Sequence, residues 1–169
     1  VKFSVIAISE TWAFNQCMPQ IPGYICYSKP RCNKRGGGVA LYVNNLLCSS
    51  VDDKTEKSTH HSFESLFVKL NDINMHVAVI YRPPDTDLDI FKEEYDKLLN
   101  SYTPTKNKII IAGDFNINLL NSDTHPATEC FLNNSFSHFL YPIITKPTHM
   151  CATTSTLIDN IFVNSATSD

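Results

Sequence analysis

Apolar and polar positions alternate along this chain in short blocks, and the blocks predict strands more often than helices. "FSVIAISE" (Phe3–Glu10) and "KIIIAG" (Lys108–Gly113) are short apolar runs suited to buried strands. "GYICYS", "GVALYV", "SLFVKL", "MHVAVIY" and "TLIDNIFV" are rich in β-branched and aromatic residues and have strand length. One segment has a clear helical period. In "DLDIFKEEYDKLLNSY", Leu88, Phe91, Tyr95, Leu98, Leu99 and Tyr102 recur at steps of three and four and form one apolar stripe. Asp85, Thr86 and Asp87 precede it as candidate caps. "ATECFLNNSFSHFL" (Ala127–Leu140) predicts a second, weaker helix, with Cys130, Phe131, Phe136 and Phe139 as its apolar positions. Ser49–Ser62 reads as a flexible loop. Many strands with two clear helices predict mixed sheets and not a doubly wound parallel fold.

Several of these apolar runs end on groups that carry chemistry. "GDFN" follows the "KIIIA" run. Gly113 is expected to let the chain turn out of the sheet. If the backbone stays extended, Asp114 and Asn116 point one way and Phe115 points into the core. The alternative for these four letters alone is an Asx-turn in which Asp114 and Asn116 cap local backbone. Glu10 ends the first strand, Tyr81 and Arg82 end another in "VAVIYRPP", and Asp159 interrupts "TLIDNIFV". A carboxylate within an apolar strand is costly unless it is paired or binds a metal. Each residue also has a plain structural reading: Glu10 as a helix-start acid, Tyr81 as an edge tyrosine, Asp159 on a solvent face. Four strand ends bearing acid, amide or phenol favour a common site.

Composition narrows the classes. The 169 residues suit one domain, with 43% hydrophobic and 18% charged residues typical of a globular chain. A formal net charge of −3 gives no global basic footprint for nucleic acid, although a bound metal ion can supply local positive charge. No apolar run approaches bilayer-spanning length. The six cysteines (Cys17, Cys26, Cys32, Cys48, Cys130 and Cys151) form no metal-ligand spacing and are expected to be reduced. "KRGGG" (Lys34–Gly38) lacks the ending of a phosphate loop and reads as a tight connection into "VALYV". The basic group Lys29, Arg31, Lys34 and Arg35 reads as a solvated loop, with DNA backbone contact as the alternative. Trp12 is expected to pack beneath the site. The "YRPP" prolines suggest a stiff loop lining a substrate groove.

The order "SETW … RGGGVALYV … YRPP … GDFN … TLIDNIF" resembles the endonuclease/exonuclease/phosphatase family, in particular the abasic-site-endonuclease-like domain of non-LTR (LINE-type) retrotransposon polyproteins. The resemblance runs from Ser9 to Val163. It implies a four-layer α/β sandwich, with two packed mixed sheets flanked by helices, and a divalent-metal phosphodiesterase site at one end. It implies Glu10 as the ligand of Mg²⁺ (or Mn²⁺). Tyr81 would hydrogen-bond the scissile phosphate, Asp114 would deprotonate the attacking water, and Asn116 would hold that geometry. Asp159 would orient a histidine near the C-terminus, and Thr148 would help hold the phosphate. Arg82 contacts phosphate or pairs with a local acid.

The function so implied is a DNA-nicking endonuclease whose 3′ hydroxyl primes a reverse transcriptase in the same polyprotein. Its setting would be intracellular, at the nucleus, with no membrane. The alternatives are a catalytically inactive remnant or domesticated binding module, and a family member acting on another phosphoester. Residues 1–169 are expected to be a single domain truncated at both ends. The upstream strand asparagine and the terminal Ser-Asp-His motif of the family would lie outside it. Ser168 and Asp169 stand too close to Asp159 to supply that motif, and His149 reads as a loop histidine. The isolated chain is therefore expected to be marginally stable and close to inactive.

Overall fold

In the computed structural model, residues 2–13, 18–31, 36–52, 62–102 and 107–164 are described. Cys17, Cys32, Lys34, Arg35, Ser168 and Asp169 lie outside the described residues, as does most of the expected 49–62 loop.

β1 (Val5–Ser9), β2 (Tyr24–Lys29) and β3 (Val39–Asn44) form an antiparallel sheet in the order β1-β3-β2. A second sheet has six strands. They are β4 (Ser49–Val51), β5 (Glu64–Leu70), β6 (Met75–Tyr81), β7 (Lys108–Asp114), β8 (Leu140–Pro142) and β11 (Asp159–Asn164), in the order β4-β5-β6-β7-β11-β8. β6 and β7 run parallel, while their outer neighbours are antiparallel, so this sheet is mixed as expected. Between β6 and β7 lies α1 (Leu88–Tyr102), the crossover that a parallel pair needs. The expected stripe faces inward, with Phe91, Tyr95, Leu98, Leu99 and Tyr102 buried. Asp87 caps the helix by accepting from the amides of Asp89 and Ile90 at 2.8 and 3.0 Å.

The second helix, α2, spans Pro126–Ser137 and is shorter than the pattern predicted. The helix stops at His138. Phe139 turns to a positive φ of 60° and stands 49% exposed, and Leu140 already belongs to β8. Two other expectations change. Ser49–Val51 is a short strand paired with β5 and not loop. "TLIDNIFV" is not one strand. Thr156 belongs to β10 (Ser155–Thr156), which pairs with β9 (His149–Met150), and β11 begins afresh at Asp159. The break occurs because the carbonyls of Leu157 and Ile158 accept from the amides of Leu119 and Phe115, which draws the chain away from a sheet ladder. Asp159 thus opens a strand instead of interrupting one.

The two sheets pack face to face. Val39, Leu41 and Val43 of β3 meet Leu66, Val68, Leu70, Val77, Val79 and Tyr81 of β5 and β6. The opposite face of the large sheet carries the helices over an aromatic core that includes Phe67, Phe91, Tyr95, Phe115, Phe131 and Phe162. This is the α/β sandwich the family resemblance implied. Helices, large sheet and small sheet account for three of its layers among the described residues. The described residues include no helix over the outer face of the small sheet, where the Tyr42 hydroxyl donates to the carbonyl of Pro19 at 2.7 Å. β1 and β7 are less buried than their apolar letters suggest, because β1 is an edge strand and β7 fully buries only Ile109 and Ile111.

Candidate active site

Strand register assembles the site. Tyr81 at the end of β6 lies beside Asp114 at the end of β7, and Asp114 lies opposite Asp159 at the start of β11. Side chains of one register row share a face of the sheet. Tyr81 belongs to the cluster between the sheets, so the row faces the small sheet. From that sheet Glu10 follows β1, and its carboxylate accepts from the Tyr81 hydroxyl at 2.5 Å. Thr148 joins from the segment before β9, its hydroxyl accepting from the Asp159 amide at 3.2 Å. His149 stands next to it in the β9–β10 hairpin, exposed and opposite Thr156.

Gly113 has a different purpose from the one predicted. It lies within β7, and a Cβ there would sit 2.1 Å from the carbonyl oxygen of Ile80. Its small size lets β6 and β7 close up beside Tyr81 and Asp114, and the turn comes after Asp114. That turn is the Asx-turn: Asp114 accepts from the amide of Asn116 at 3.0 Å, and Asn116 has φ 49°. Phe115 is buried at 1% exposure, as expected. Capping and site geometry are one arrangement here and not rival readings.

Arg82 holds this turn from behind. It is 5% exposed. Its guanidinium donates to the carbonyls of Phe115 at 2.8 Å, Asn116 at 3.1 Å and Thr86 at 2.8 Å. The Asn116 side-chain amide donates to the Arg82 carbonyl at 2.8 Å. These contacts are to the chain's own backbone, with the charges of Asp114 and Asp85 nearby. They tie the 83–86 turn to the 114–116 turn. A cleft of about 220 Å³ opens beside Asn116, lined also by Arg82, Asn118, Asn121 and His125.

Burial pushes the Asp114 carboxyl up to about 6. The Asn116 amide opposes that rise, while the nearby charges of Asp159 and Glu10 add to it and Arg82 works against it. Burial likewise pushes the Tyr81 phenol well above its ordinary range, with the bond to Glu10 adding to the effect, so it remains a proton donor. Carboxylates crowd one phenol and one amide. All the donors are oxygen or amide groups. Among the described residues there is no group of three or more His, Cys, Asp or Glu side chains arranged to hold a metal ion.

Two other features were not foreseen. Trp12 does not lie beneath the site; it is 57% exposed, with its ring against Gly36. Glu10 and Trp12 both have positive φ, 52° and 50°, a conformation that costs such residues about 1–3 kcal/mol each. Glu64 was also missed, and Lys29 and Arg31 are not a solvated loop, since Lys29 ends β2 and Arg31 is mostly buried in an ion pair. Glu64 pairs in register with Tyr81 and so extends the polar row to a fourth strand, and Arg31 forms an ion pair with Glu64. The register of a tight β5–β6 hairpin at 71–74 was the available signal, because counting back from Leu70 opposite Met75 places Glu64 opposite Tyr81. Of the cysteines, Cys26, Cys48, Cys130 and Cys151 are free thiols; Cys26 is half-buried and the others are exposed.

An acidic site across the strand ends of a face-to-face α/β sandwich defines a recognisable class of protein. The chain belongs to the Endonuclease/Exonuclease/phosphatase family, whose model matches residues 2–169. No curated protein matches the sequence significantly. Among solved structures, the chain is similar to the endonuclease domain of TRAS1, a telomere-specific non-LTR retrotransposon. The TM-score is 0.70 at 13% identity, covering 96% of this chain and 73% of that one. The 3′ phosphatase NExo from Neisseria, bound to product DNA hairpin, is similar at TM-score 0.64 and 16% identity, covering 96% and 77%. An AP endonuclease from Archaeoglobus fulgidus is similar at TM-score 0.62 and 13% identity, covering 95% and 76%. At these identities the likeness is one of fold. Among the described residues no helix is long and apolar enough to cross a membrane.

Proposed function

We propose that the chain is a divalent-metal-dependent phosphodiesterase, the DNA-nicking endonuclease domain of a non-LTR retrotransposon that primes reverse transcription at its target. The observation that carries this reading is the register row of Tyr81, Asp114 and Asp159 on three adjacent strands, with Glu10 bonded to the first of them. Similarity to the TRAS1 endonuclease domain and to a DNA-bound phosphatase supports DNA as the substrate. The block order from "SETW" to "TLIDNIF" supports the retrotransposon setting, with a reverse transcriptase in the same polyprotein and nuclear action.

The residues fit a hard cation. The charges of Glu10 and Asp159 both raise Asp114, a repulsion that a cation would relieve. Mg²⁺ or Mn²⁺ is commonly bound through one or two carboxylates together with substrate phosphate oxygens, so Glu10 would hold it jointly with that phosphate. When bound, the ion neutralises charge developing on the phosphate.

The chain's own groups do the rest. Asp114 takes the proton of the attacking water, whose oxygen bonds to phosphorus as the P–O3′ bond breaks and the leaving 3′ oxygen takes a proton from solvent. A carboxyl raised to about 6 is a better-matched base near neutral pH than an ordinary aspartate. Tyr81 keeps its proton and, when Glu10 turns to the cation, donates that proton to a phosphate oxygen in place of Glu10. The Asn116 amide has a second N–H beyond the one given to Arg82, and the proposal assigns that N–H to the substrate phosphate. Thr148 steadies Asp159 through its amide, and the family resemblance gives Asp159 the part of orienting a histidine. Arg82 positions Asn116 through its bond to the Asn116 carbonyl.

The test is nicking of supercoiled plasmid by the 169-residue chain and by a longer polypeptide with flanking segments, each with and without Asp114→Ala. Magnesium-dependent, Asp114-dependent nicking by the longer polypeptide is expected, with little from the shorter. Undiminished nicking in excess chelator would remove the metal from this reading. The lack of a three-ligand cluster among the described residues favours one alternative, an inactive binding module of the same fold. Tight DNA binding with no nicking by either polypeptide would establish that instead.

A further inference from the structure

Glu10 is the last residue of an edge strand plus one, in a left-handed conformation, yet it meets Tyr81 at 2.5 Å. Such a geometry persists only where the surroundings over-determine it. Those surroundings are specific. The amides of Thr11 and Trp12 donate to the carbonyls of Gly38 and Gly37 at 3.1 and 2.9 Å. Gly36, Gly37 and Gly38 all have positive φ, between 75° and 86°, which suits glycine alone. A Cβ on Gly38 would lie 2.5 Å from the Thr11 hydroxyl, and one on Gly37 would lie 2.4 Å from the Arg31 guanidinium carbon. The three glycines are therefore a thin clasp between Arg31 and the segment that bears Glu10.

Glu64 closes the clasp. One of its carboxylate oxygens accepts from Arg31, and the other accepts from the Gly38 amide at 2.6 Å. Both side chains of the ion pair are only 18% exposed. The Arg31 guanidinium in turn lies over the Tyr81 ring, 5.7 Å from its centroid. One ion pair thus touches both partners of the Glu10–Tyr81 bond, the ring directly and the carboxylate through the glycines.

We infer that Glu64 and Arg31 are positioning residues of the active site, which hold the Glu10 loop and the Tyr81 ring in register through the Gly36–Gly38 clasp. This rests on the reading of Glu10 as the cation ligand and Tyr81 as the phosphate donor. Groups that orient a metal ligand typically contribute about ten- to a hundredfold in metal affinity or activity. A guanidinium that bonds a carboxylate and lies on a ring is not replaced by an ammonium.

Trp12 gives a readout independent of activity, since it is the single tryptophan and its ring rests on Gly36. The variants are Glu64→Gln, Arg31→Lys and Arg31→Met, made in the 169-residue chain for the Trp12 readings and in the longer polypeptide for nicking, and compared at temperatures where each is folded by circular dichroism. Without cation, Glu64→Gln and Arg31→Met should shift Trp12 emission and raise its quenching by acrylamide. The half-saturating Mg²⁺ concentration for nicking should rise about tenfold or more and kcat should fall about ten- to a hundredfold, with KM for DNA little changed. Arg31→Lys should lie between wild type and Arg31→Met. Folded variants with unaltered Trp12 emission and quenching, or with wild-type Mg²⁺ half-saturation in an active enzyme, overturn the inference. If wild type does not nick, the proposed function fails, and the Trp12 response of the variants still decides whether the clasp is held by Glu64 and Arg31.

Discussion

The two faces of the six-stranded sheet are built differently. The face under the helices is filled by aromatic rings in mutual contact. Phe67 stacks on Tyr102 at 4.3 Å between centroids, Phe115 meets Phe162 edge-on at 5.2 Å, and Phe131 touches Phe91, Tyr95, Phe115 and Phe162. The face toward the small sheet is largely aliphatic, with β3 packed over β5 and β6 and with Val5 of β1 and Tyr27 of β2 packed at the margins. Beyond the edge strand β1, a cleft of about 580 Å³ is lined by Phe3, Ile110, Ala112 and Ile161. The candidate site lies on this less complete face, at its strand ends. Asp114 and Phe115 are chain neighbours that belong to opposite regimes, one with a carboxyl strained by burial and the other a core ring. The difference teaches that stability and chemistry are separated across the thickness of one sheet. Mutations one residue apart should then have unlike consequences.

The largest effect expected is on activity alone. Asp114→Ala in the longer polypeptide should lower nicking by about 100- to 10,000-fold, the range for losing a general base. Its thermal midpoint should not fall. A large drop in stability in a melting curve would show that the two faces are not separable.

Next is the aromatic face. Phe131 is fully buried among four other rings, and Phe131→Ala should cost about 3–5 kcal/mol in a denaturant titration. A cost under about 1 kcal/mol would mean that the helix side does not dominate the fold.

A smaller effect is a pH dependence with a defined sign. Asp114 has a folded carboxyl raised from 3.8 to about 6, so the folded state binds more protons than the unfolded state between those values. Stability from this group is complete below about pH 4 and is lost as pH rises through 6. Asp114→Asn should remove that slope. At pH 7 it should stabilise the fold by about 1–2 kcal/mol, after allowance for the partial exposure of the carboxyl. Parallel stability profiles for wild type and variant from pH 4 to 7 would contradict this.

The smallest effect belongs to the open face. Ile161 is half-buried beside the cleft, and Ile161→Ala should cost about 1 kcal/mol, below the range for a fully buried isoleucine. A cost matching that of Phe131→Ala would remove the contrast between the faces.

Much of this was legible from letters. The 3.6-residue stripe of α1, the β-branched runs and the Asp87 cap are local features, and local patterning decides them. The acid, amide and phenol at strand ends were legible for the same reason, since each stands where an apolar run stops. The β11 start was not, because Leu157 and Ile158 have strand letters but give their carbonyls to a loop remote in sequence. The end of α2 was missed because Phe139 looks apolar, yet its positive φ turns it outward to let Leu140 join the sheet.

The sequence by itself determined the elements, the residue types available at the site and the family likeness, because these depend on periodicity and on order along the chain. Tertiary structure decided which of those residues meet. Register alone put Asp159 opposite Asp114 and Glu64 opposite Tyr81. Only the approach of the two sheets brought Glu10 to Tyr81. It also made Arg82 the clamp of a turn, because its donors found backbone carbonyls within reach. Pairings of this kind join residues tens of positions apart, and no local pattern encodes the distance between them.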